Sequence, residues 1–278
     1  MAPLAGAVLA WGVPRLRDLP WRHTRDPWAV LVSEVMLQQT QVRRVVPKWQ
    51  AFLDLFPTPE ACAEVPLGEV LREWQGLGYP RRARNLHATA TEVSRLGSFP
   101  STLEGLLALP GVGAYTARAV LAFAFEADAA VVDTNIARVL ARVEGRRLTP
   151  KEAQAMADGL LPLGQAWEWN QCLMDLGAVV CRPQPDCAAC PLRRSCAWQG
   201  RGPDPAVGSA GVSRSQAPFE GSDRQARGRV LRAVAVSPLR REDAARAMAV
   251  GVERAERLVQ ALVSEGLLAT DGDLLRLP

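Results

Sequence analysis

The sequence predicts an all-α protein that ends in a small unit of a different kind, and three observations support this. Residues 1–198 carry apolar side chains at helical spacing, punctuated by Pro and Gly, with few alternating runs typical of strands. Residues 199–221 are rich in Gly, Ser, Pro and Ala, which predicts a flexible linker. Residues 222–278 predict three helices followed by a hairpin, the element order of a winged helix. We therefore predict two domains, 1–198 and 222–278, joined by the linker.

The helices of the first domain are predicted from start signals and apolar faces. Asp26 and Pro27 form a start signal for a helix over 28–39. One face of that helix carries mainly apolar side chains: Ala29, Val32, Val35, Met36 and Gln39. The same spacing predicts further helices over 41–55, 67–75, 81–96, 102–108, 114–126, 133–144, 151–160 and 167–179.

The C-terminal unit has its own pattern. Helices are predicted over 223–235, 240–248 and 251–265. Asp271-Gly272 lies between two short apolar runs, which is a hairpin signal. The third helix of a helix-turn-helix protein can enter a DNA major groove. The same pattern also suits a module that packs or binds a partner protein, so both roles stay open.

The bulk composition limits the classes of protein. A chain of 278 residues can form one large domain or two modest ones. No apolar run reaches the roughly 18 residues of a membrane span, so we expect no membrane partner. No basic residue precedes the mildly apolar stretch 3–13, which argues against a secretory signal and predicts a cytoplasmic protein. The net charge is +4, and Lys occurs only at Lys48 and Lys151. The abundant Arg suits phosphate binding, although GC-rich codon usage explains it equally well.

Four of the six cysteines are clustered, with the spacing C-x5-C-x2-C-x5-C, at Cys181, Cys187, Cys190 and Cys196. Four thiolates this close can bind either zinc or a 4Fe-4S cluster. Zinc sites more often use two C-x2-C pairs, and this chain has one, so the spacing favours iron–sulfur without excluding zinc. Cys62 and Cys172 stand apart and are expected to be small buried residues.

A glycine-rich corner separates two predicted helices at 109–113. Gly111 and Gly113 flank one residue, which allows a sharp turn with exposed backbone amides. Amides beside a helix N-terminus can hold a phosphate of the DNA backbone. Ordinary helix–helix corners also use glycine, so both interpretations remain.

Two acidic residues are candidates for catalysis. Glu34 lies among Leu31, Val32, Val35 and Leu37, and a carboxyl group in apolar surroundings can stay protonated. Glu34 could equally be a solvated helix residue. Asp133 directly precedes a helical pattern and could be a helix N-cap rather than a catalytic group.

Several segments in order resemble one family: Trp21-Arg22, 33–42 (SEVMLQQTQV), 74–86 (WQGLGYPRRARNL), 109–116 (LPGVGAYT) and 132–140 (VDTNIARVL). They are similar to the A/G-specific adenine DNA glycosylases of the helix-hairpin-helix superfamily. The resemblance implies a two-lobed all-α fold with DNA across the cleft, and a 4Fe-4S cluster on the four clustered cysteines. It also implies a bacterial nucleoid-associated monomer acting on double-stranded DNA with a mispaired adenine.

The resemblance assigns roles residue by residue. The implied catalytic residues are the acid Glu34, the carboxylate Asp133 and the hydroxyl-bearing Tyr115. The implied substrate and DNA contacts come from the base pocket, the helix-inserting residues, the hairpin and the neighbourhood of the carboxylate: Arg22, Gln39, Tyr79, Gly111, Gly113 and Asn135. Arg81, Arg82 and Arg84 follow Tyr79 and could contact phosphates or be solvated.

The expected reaction is base excision without strand cleavage. The enzyme flips the mispaired adenine out of the duplex, Glu34 protonates it, and Asp133 stabilises the cationic sugar. Related lyases have Lys where this chain has Tyr115, so no Schiff base is expected here. The Nudix-like domain usual in the family is not evident after Gly200, which leaves 8-oxoguanine preference open.

Three rival functions remain. A thymine or uracil mismatch glycosylase would share the Tyr115 and Asp133 positions but differ around residues 37–41. A non-enzymatic iron–sulfur DNA-binding protein would use the C-terminal unit as its reader. A redox sensor would depend on the cluster alone.

Overall fold

The computed structural model describes residues 2–209, 211–212 and 218–278, with side chains from residue 4 onward. The chain is mainly helical, as predicted. It forms two compact units, each built from separate segments. The first unit consists of Met1–Val30, Ser101–Leu107 and Gly113–Ser215, and the second of Leu31–Pro100, Ala108–Val112 and Gln216–Pro278.

The helices before residue 200 follow in chain order: α1 (Ala2–Gly12), α2 (Pro27–Leu37), α3 (Val42–Leu55), α4 (Pro59–Ala63), α5 (Leu67–Glu73), α6 (Arg81–Leu96), α7 (Leu103–Leu107), α8 (Ala114–Phe123), α9 (Thr134–Glu144), α10 (Pro150–Leu160) and α11 (Ala166–Val179). All helices predicted in this region are present, within a few residues at each end. The helices α1 and α4 were not predicted. Helix α1 is apolar on most sides, which leaves little periodicity, and α4 has only five residues.

The first unit is built around α11, which packs against α1 and α9. Gly12 allows the approach of α1, because a Cβ there would lie 2.5 Å from Cys172. The buried Asn170 on α11 accepts a hydrogen bond from the Val131 amide and donates to the Ala129 carbonyl. This side chain therefore fixes the extended segment that leads to α9.

In the second unit, α6 packs against α4 and α5. One face of α6 is buried, and it carries Arg82, Ala83, Leu86, Thr89, Ala90 and Val93. Gly97 ends the helix in the left-handed conformation, with φ 73°, which glycine adopts without strain. Thr58 caps α4 by accepting a hydrogen bond from the Ala61 amide.

The C-terminal part of the second unit has winged-helix element order: α12 (Asp223–Val236), β1 (Leu239–Arg240), α13 (Ala244–Met248), α14 (Val252–Ser264), β2 (Ala269–Asp271) and β3 (Leu274–Arg276). The antiparallel sheet has the order β1-β3-β2, and the predicted hairpin is confirmed. The prediction of a helix from residue 240 was wrong at its start. Residues 239–240 pair with 274–275 instead, and a two-residue strand carries no detectable alternation.

The predicted linker 199–221 is described only in part, since residues 210 and 213–217 lie outside the described residues. Within the described part, Asp204 pairs with Arg142 on α9 at 2.6 Å. The Ser209 hydroxyl accepts a hydrogen bond from the Leu148 amide at 3.1 Å. The domain boundaries remain a prediction. Among the described residues, no helix combines the length and apolar character needed to cross a membrane.

Candidate active site and cysteine cluster

Asp133 lies at the N-terminus of α9, after the segment that Asn170 holds. Its Oδ1 accepts a hydrogen bond from the Ile136 amide at 2.7 Å, which is the geometry of an N-cap. Its Oδ2 accepts a hydrogen bond from the Asn135 amide group at 2.9 Å. Burial raises the pKa of Asp133, and these hydrogen bonds oppose that rise only in part. The cap interpretation is confirmed, and the second carboxylate oxygen accepts a hydrogen bond from the Asn135 side chain.

Asn135 connects Asp133 to the segment that carries the first clustered cysteine. Its Oδ1 accepts a hydrogen bond from Arg138 at 2.8 Å. Arg138 also donates to the carbonyls of Cys181 and Gly177, each at 2.7 Å. Gly177 is required here, because a Cβ would lie 2.6 Å from the Cβ of Asn135. Neither Arg138 nor Gly177 was singled out from the sequence.

The four clustered cysteines line one cavity. Arg142, almost fully buried, donates to the Cys181 sulfur at 3.3 Å and stacks on the Trp198 ring at 4.6 Å. In the part of the chain that the structure describes, no three acidic, His or Cys side chains meet the geometry of a metal site. The cavity nevertheless brings the four thiols to one place. Four thiols beside a guanidinium fit an anionic cluster with four thiolate ligands.

Arg22 forms a buried ion pair in the first unit. Its guanidinium donates two hydrogen bonds to Asp175, at 2.8 and 2.9 Å, and a third to the Arg17 carbonyl. Arg17 also pairs with Asp175, at 2.6 Å. These bonds lower the pKa of Asp175 even though burial raises it. The base-pocket role of Arg22 stays a prediction, and the structure adds a role in fixing α11.

The glycine-rich corner has the geometry of a tight turn. Gly111 is in the left-handed conformation, with φ 74°, and a Cβ there would lie 2.6 Å from Asn85. Gly113 is exposed at the N-cap position of α8. Tyr115 is half-buried in the first turn of that helix. Exposed Gly113 at the N-terminus of α8 suits the hairpin interpretation, and the phosphate-binding role stays a prediction.

Glu34 is buried in α2, with 6% of its surface exposed. Its sequence neighbour Ser33 is buried as well, and the apolar residues Val32 and Val35 belong to the core. The alternative of a solvated helix residue is therefore wrong. Burial in apolar surroundings disfavours the ionised form of a carboxyl group and so favours the protonated form. A proton donor has to be in the protonated form before it acts.

Gln39 and Tyr79 share an unusual backbone conformation in the second unit. Their φ angles are 55° and 49°, in the left-handed region that side chains other than Gly, Asn and Asp seldom adopt. Both side chains are exposed. Such strained positions persist only where neighbouring contacts hold them.

One buried arginine holds both of these turns. Arg82 donates to the carbonyls of Val35, Met36 and Gln38 beside Gln39, at 2.7–2.9 Å. It also donates to Thr40 and to the carbonyls of Leu77 and Gly78 beside Tyr79, at 3.0–3.1 Å. Burial lowers the pKa of Arg82 to about 10, so it remains charged at neutral pH. Arg82 is thus neither a phosphate contact nor a solvated residue.

The predicted site residues fall in both units. The first unit contains Arg22, Gly113, Tyr115, Asp133, Asn135 and the four clustered cysteines. The second unit contains Glu34, Gln39, Tyr79 and Gly111. In the first unit Arg138 connects Asn135 to Cys181, and in the second Arg82 connects the turns at Gln39 and Tyr79.

Comparisons with known proteins give a consistent result. The family of HhH-GPD superfamily base excision DNA repair proteins matches residues 32–162. The adenine DNA glycosylase of Mycobacterium tuberculosis (strain ATCC 25618 / H37Rv) is 41% identical over 278 residues, covering 96% of this chain and 90% of that protein. The adenine DNA glycosylase of Mycolicibacterium smegmatis is 43% identical over 232 residues, covering 81% of this chain and 78% of that protein.

Solved structures share the same fold. A thermostable thymine-DNA glycosylase superposes with a TM-score of 0.68 at 32% identity, covering 71% of this chain and 95% of that one. Endonuclease III in a non-covalent DNA complex superposes with a TM-score of 0.62 at 26% identity, covering 69% and 92%. Because 96% of this chain aligns with a relative that is 41% identical, this chain belongs to the adenine DNA glycosylases of the HhH-GPD superfamily of base excision DNA repair proteins.

Proposed function

We propose that this protein hydrolyses the N-glycosidic bond of adenine mispaired with 8-oxoguanine or guanine, and leaves the DNA backbone intact. The observation that carries the proposal is the extent of the similarity, since 96% of the chain matches an adenine DNA glycosylase. The similarity therefore includes the C-terminal unit as well as the segments with Glu34 and Asp133.

The first step is extrusion of the mispaired nucleotide, because a duplex hides the bond between base and sugar. Tyr79 is the proposed wedge, and Gln39 is proposed to enter the helix near the orphaned base. Arg82 fixes the turns of both residues before DNA arrives. A preorganised loop loses less conformational entropy on binding, so more of the contact energy is available to unstack the base.

The second step is departure of adenine. Adenine is a poor leaving group as an anion, and protonation at N7 makes departure possible. Glu34 is proposed as the donor, because its burial in an apolar helix favours the neutral acid.

The third step is stabilisation of the oxocarbenium-like sugar, for which we propose the ionised Asp133. Asn135 donates to one carboxylate oxygen and the Ile136 amide to the other, and both bonds favour the ionised form. Tyr115 is proposed to orient the water or a carboxylate. A tyrosine cannot form a Schiff base, which accounts for an intact backbone.

We also propose that Cys181, Cys187, Cys190 and Cys196 hold a 4Fe-4S cluster. The similarity to adenine DNA glycosylases supports a 4Fe-4S cluster over zinc, and the shared cavity of the four thiols suits a group with four thiolate ligands. Held by these four thiolates, such a cluster would cross-link the loop 181–196. Arg142 would offset its negative charge, and Arg138 would tie the backbone of Cys181 to Asn135.

A single-turnover excision assay tests the function. Duplexes carry adenine opposite 8-oxoguanine, guanine or cytosine, and a further duplex carries thymine opposite guanine. Release of free adenine from the first two, without strand cleavage, is expected. Release of thymine instead would support the thymine glycosylase alternative. Glu34→Gln keeps the size of the side chain and removes the acid, so excision should be lost while DNA binding persists. Unchanged excision by this variant would refute the assigned chemistry.

A further inference from the structure

We propose that the C-terminal winged helix, residues 222–278, braces the segment 74–80 between α5 and α6, which carries Tyr79 and is called the Tyr79 loop below. In this proposal Arg224 is a positioning residue for base extrusion. This inference rests on the proposed function, because it assumes that Tyr79 is the wedge. It assigns the winged helix a role in the second unit other than reading a DNA groove.

The brace makes its direct contact at the Tyr79 hydroxyl. Arg224, in the first turn of α12, donates a hydrogen bond to that oxygen at 3.1 Å. The Arg224 guanidinium also lies 5.9 Å from the Phe219 ring, which limits its freedom. The guanidinium of Arg82 lies 5.5 Å from the centre of the Tyr79 ring. The side chain of Tyr79 is therefore held at its tip by Arg224 and at its ring by Arg82.

A second contact ties the brace to the start of α6. Glu265, which follows α14, pairs with Arg81 at 2.9 Å and with Arg227 on α12. Arg84 donates to the Glu265 backbone carbonyl at 2.5 Å. These ion pairs lower the pKa of Glu265 to about 2, so the cluster stays charged at any physiological pH. The start of α6, which follows the Tyr79 loop, is thus fixed to the winged helix.

Contacts made by α5 complete the attachment. The Gly68 amide donates to the terminal Pro278 carbonyl at 2.7 Å, and a Cβ on Gly68 would lie 2.6 Å from that oxygen. Arg72 donates to the Ala235 carbonyl at 3.2 Å. The winged helix therefore packs along α5 and α6, which flank the Tyr79 loop in sequence.

The charges on α14 argue against groove reading by this helix. Arg254 and Arg257 both pair with Asp223, at 2.7 and 3.1 Å. Arg241 pairs with Glu256 on α14. A helix that enters a major groove needs cations available for phosphates and base edges, whereas Arg254 and Arg257 are both engaged by Asp223 within the protein.

The test uses the full chain with Arg224→Met, which removes the guanidinium donor and keeps an apolar side chain of similar length. Arg232→Met is the matched control, because Arg232 is exposed on the same helix and carries the same charge. Tyr79→Phe removes the acceptor, and Arg224→Lys keeps a donor. Base extrusion is measured by the fluorescence of 2-aminopurine placed beside a mispaired adenine, and excision by single-turnover rates with saturating enzyme.

Arg224→Met should lower both the fluorescence rise and the excision rate about fivefold to tenfold, the range of one partly exposed hydrogen bond to a charged group. Tyr79→Phe should reproduce this loss, and the double variant should lose no more than either single one. Arg224→Lys should recover part of the loss, and Arg232→Met should match the wild type.

Several results would overturn the inference. Equal fluorescence for Arg224→Met and Arg232→Met would show that Arg224 does not position the wedge. Additive losses in the double variant would show that it acts elsewhere. If Arg224→Met does not fold, Tyr79→Phe alone decides, since a wild-type fluorescence rise in that variant also refutes the brace. Failure of the proposed function looks different, because the wild-type protein would then release no adenine.

Discussion

Asp133→Asn should separate the structural and the chemical role of this side chain. Asp133 caps α9 through Oδ1, which accepts from the Ile136 amide. Asparagine is as good an N-cap as aspartate and keeps an oxygen in that place. It cannot carry the negative charge that the cationic sugar requires. We therefore expect a folded protein that does not excise adenine.

The magnitudes follow from the contacts. Asp133→Ala loses the cap, about 1 kcal/mol, and the hydrogen bond from Asn135, about another 1 kcal/mol. Its free energy of unfolding should therefore fall by roughly 2 kcal/mol. Asp133→Asn should lie within about 1 kcal/mol of the wild type, because it keeps the cap. Both variants should lose about 100-fold to 1,000-fold in single-turnover rate, as when a preorganised electrostatic contact is removed.

The pH dependence gives an independent check. Because burial raises the pKa of Asp133, the folded protein binds this proton more tightly than the unfolded chain does. The resulting stabilisation is complete below the unfolded pKa of about 3.9 and is lost as the pH rises through the folded pKa. Asp133→Asn has no such loss. Its stability relative to the wild type should therefore increase as the pH rises above the unfolded pKa of about 3.9.

Urea unfolding at several pH values and single-turnover excision provide both measurements. The reasoning fails if Asp133→Asn is as unstable as Asp133→Ala, because the cap would then depend on the charge. It also fails if Asp133→Asn keeps more than about a tenth of the wild-type rate, because removing such a contact should lower the rate at least about 100-fold.

Three further variants test other parts of the structure. Arg82→Lys replaces a planar fork, whose four terminal N–H groups share six acceptors, by an ammonium group with three N–H groups, so unfolding should become easier by about 1–3 kcal/mol in urea titrations. An unchanged midpoint would contradict this role. Tyr115→Lys should gain strand cleavage through a Schiff base that borohydride traps. If no complex is trapped, Tyr115 does not occupy the position of the lysine in the related lyases. Gly177→Ala should displace Asn135 and slow excision at least tenfold, with Gly159→Ala, which has open space, as the control.

The fold was largely predictable because local signals and tertiary structure agree. Helix α6 was predicted over 81–96 and observed at Arg81–Leu96, since Pro80 precedes it and Gly97 ends it. The strand β1 was missed because its two residues pair with a hairpin that lies 34 residues further along the chain. A sequence pattern cannot carry such long-range pairing.

The candidate site was only partly predictable. Motifs identified Glu34 and Asp133, but the sequence could not say whether Asp133 was a cap or a catalytic group. The structure shows that it caps α9 through Oδ1 while Oδ2 accepts from the Asn135 side chain. The sequence also could not predict which of the three neighbouring arginines at positions 81, 82 and 84 is buried. Arg81 and Arg84 pair with Glu265, whereas Arg82 enters the core, and only the packing of α6 decides between them.

The six hydrogen bonds of Arg82 have a consequence for how this enzyme can diverge. Because one guanidinium closes the turns at both Gln39 and Tyr79, neither can be re-aimed by a local substitution without disturbing the other. A lineage that acquires a new mispair preference is therefore constrained to change the ends of these side chains or the pocket walls. The backbone conformations of the two turns can change only together.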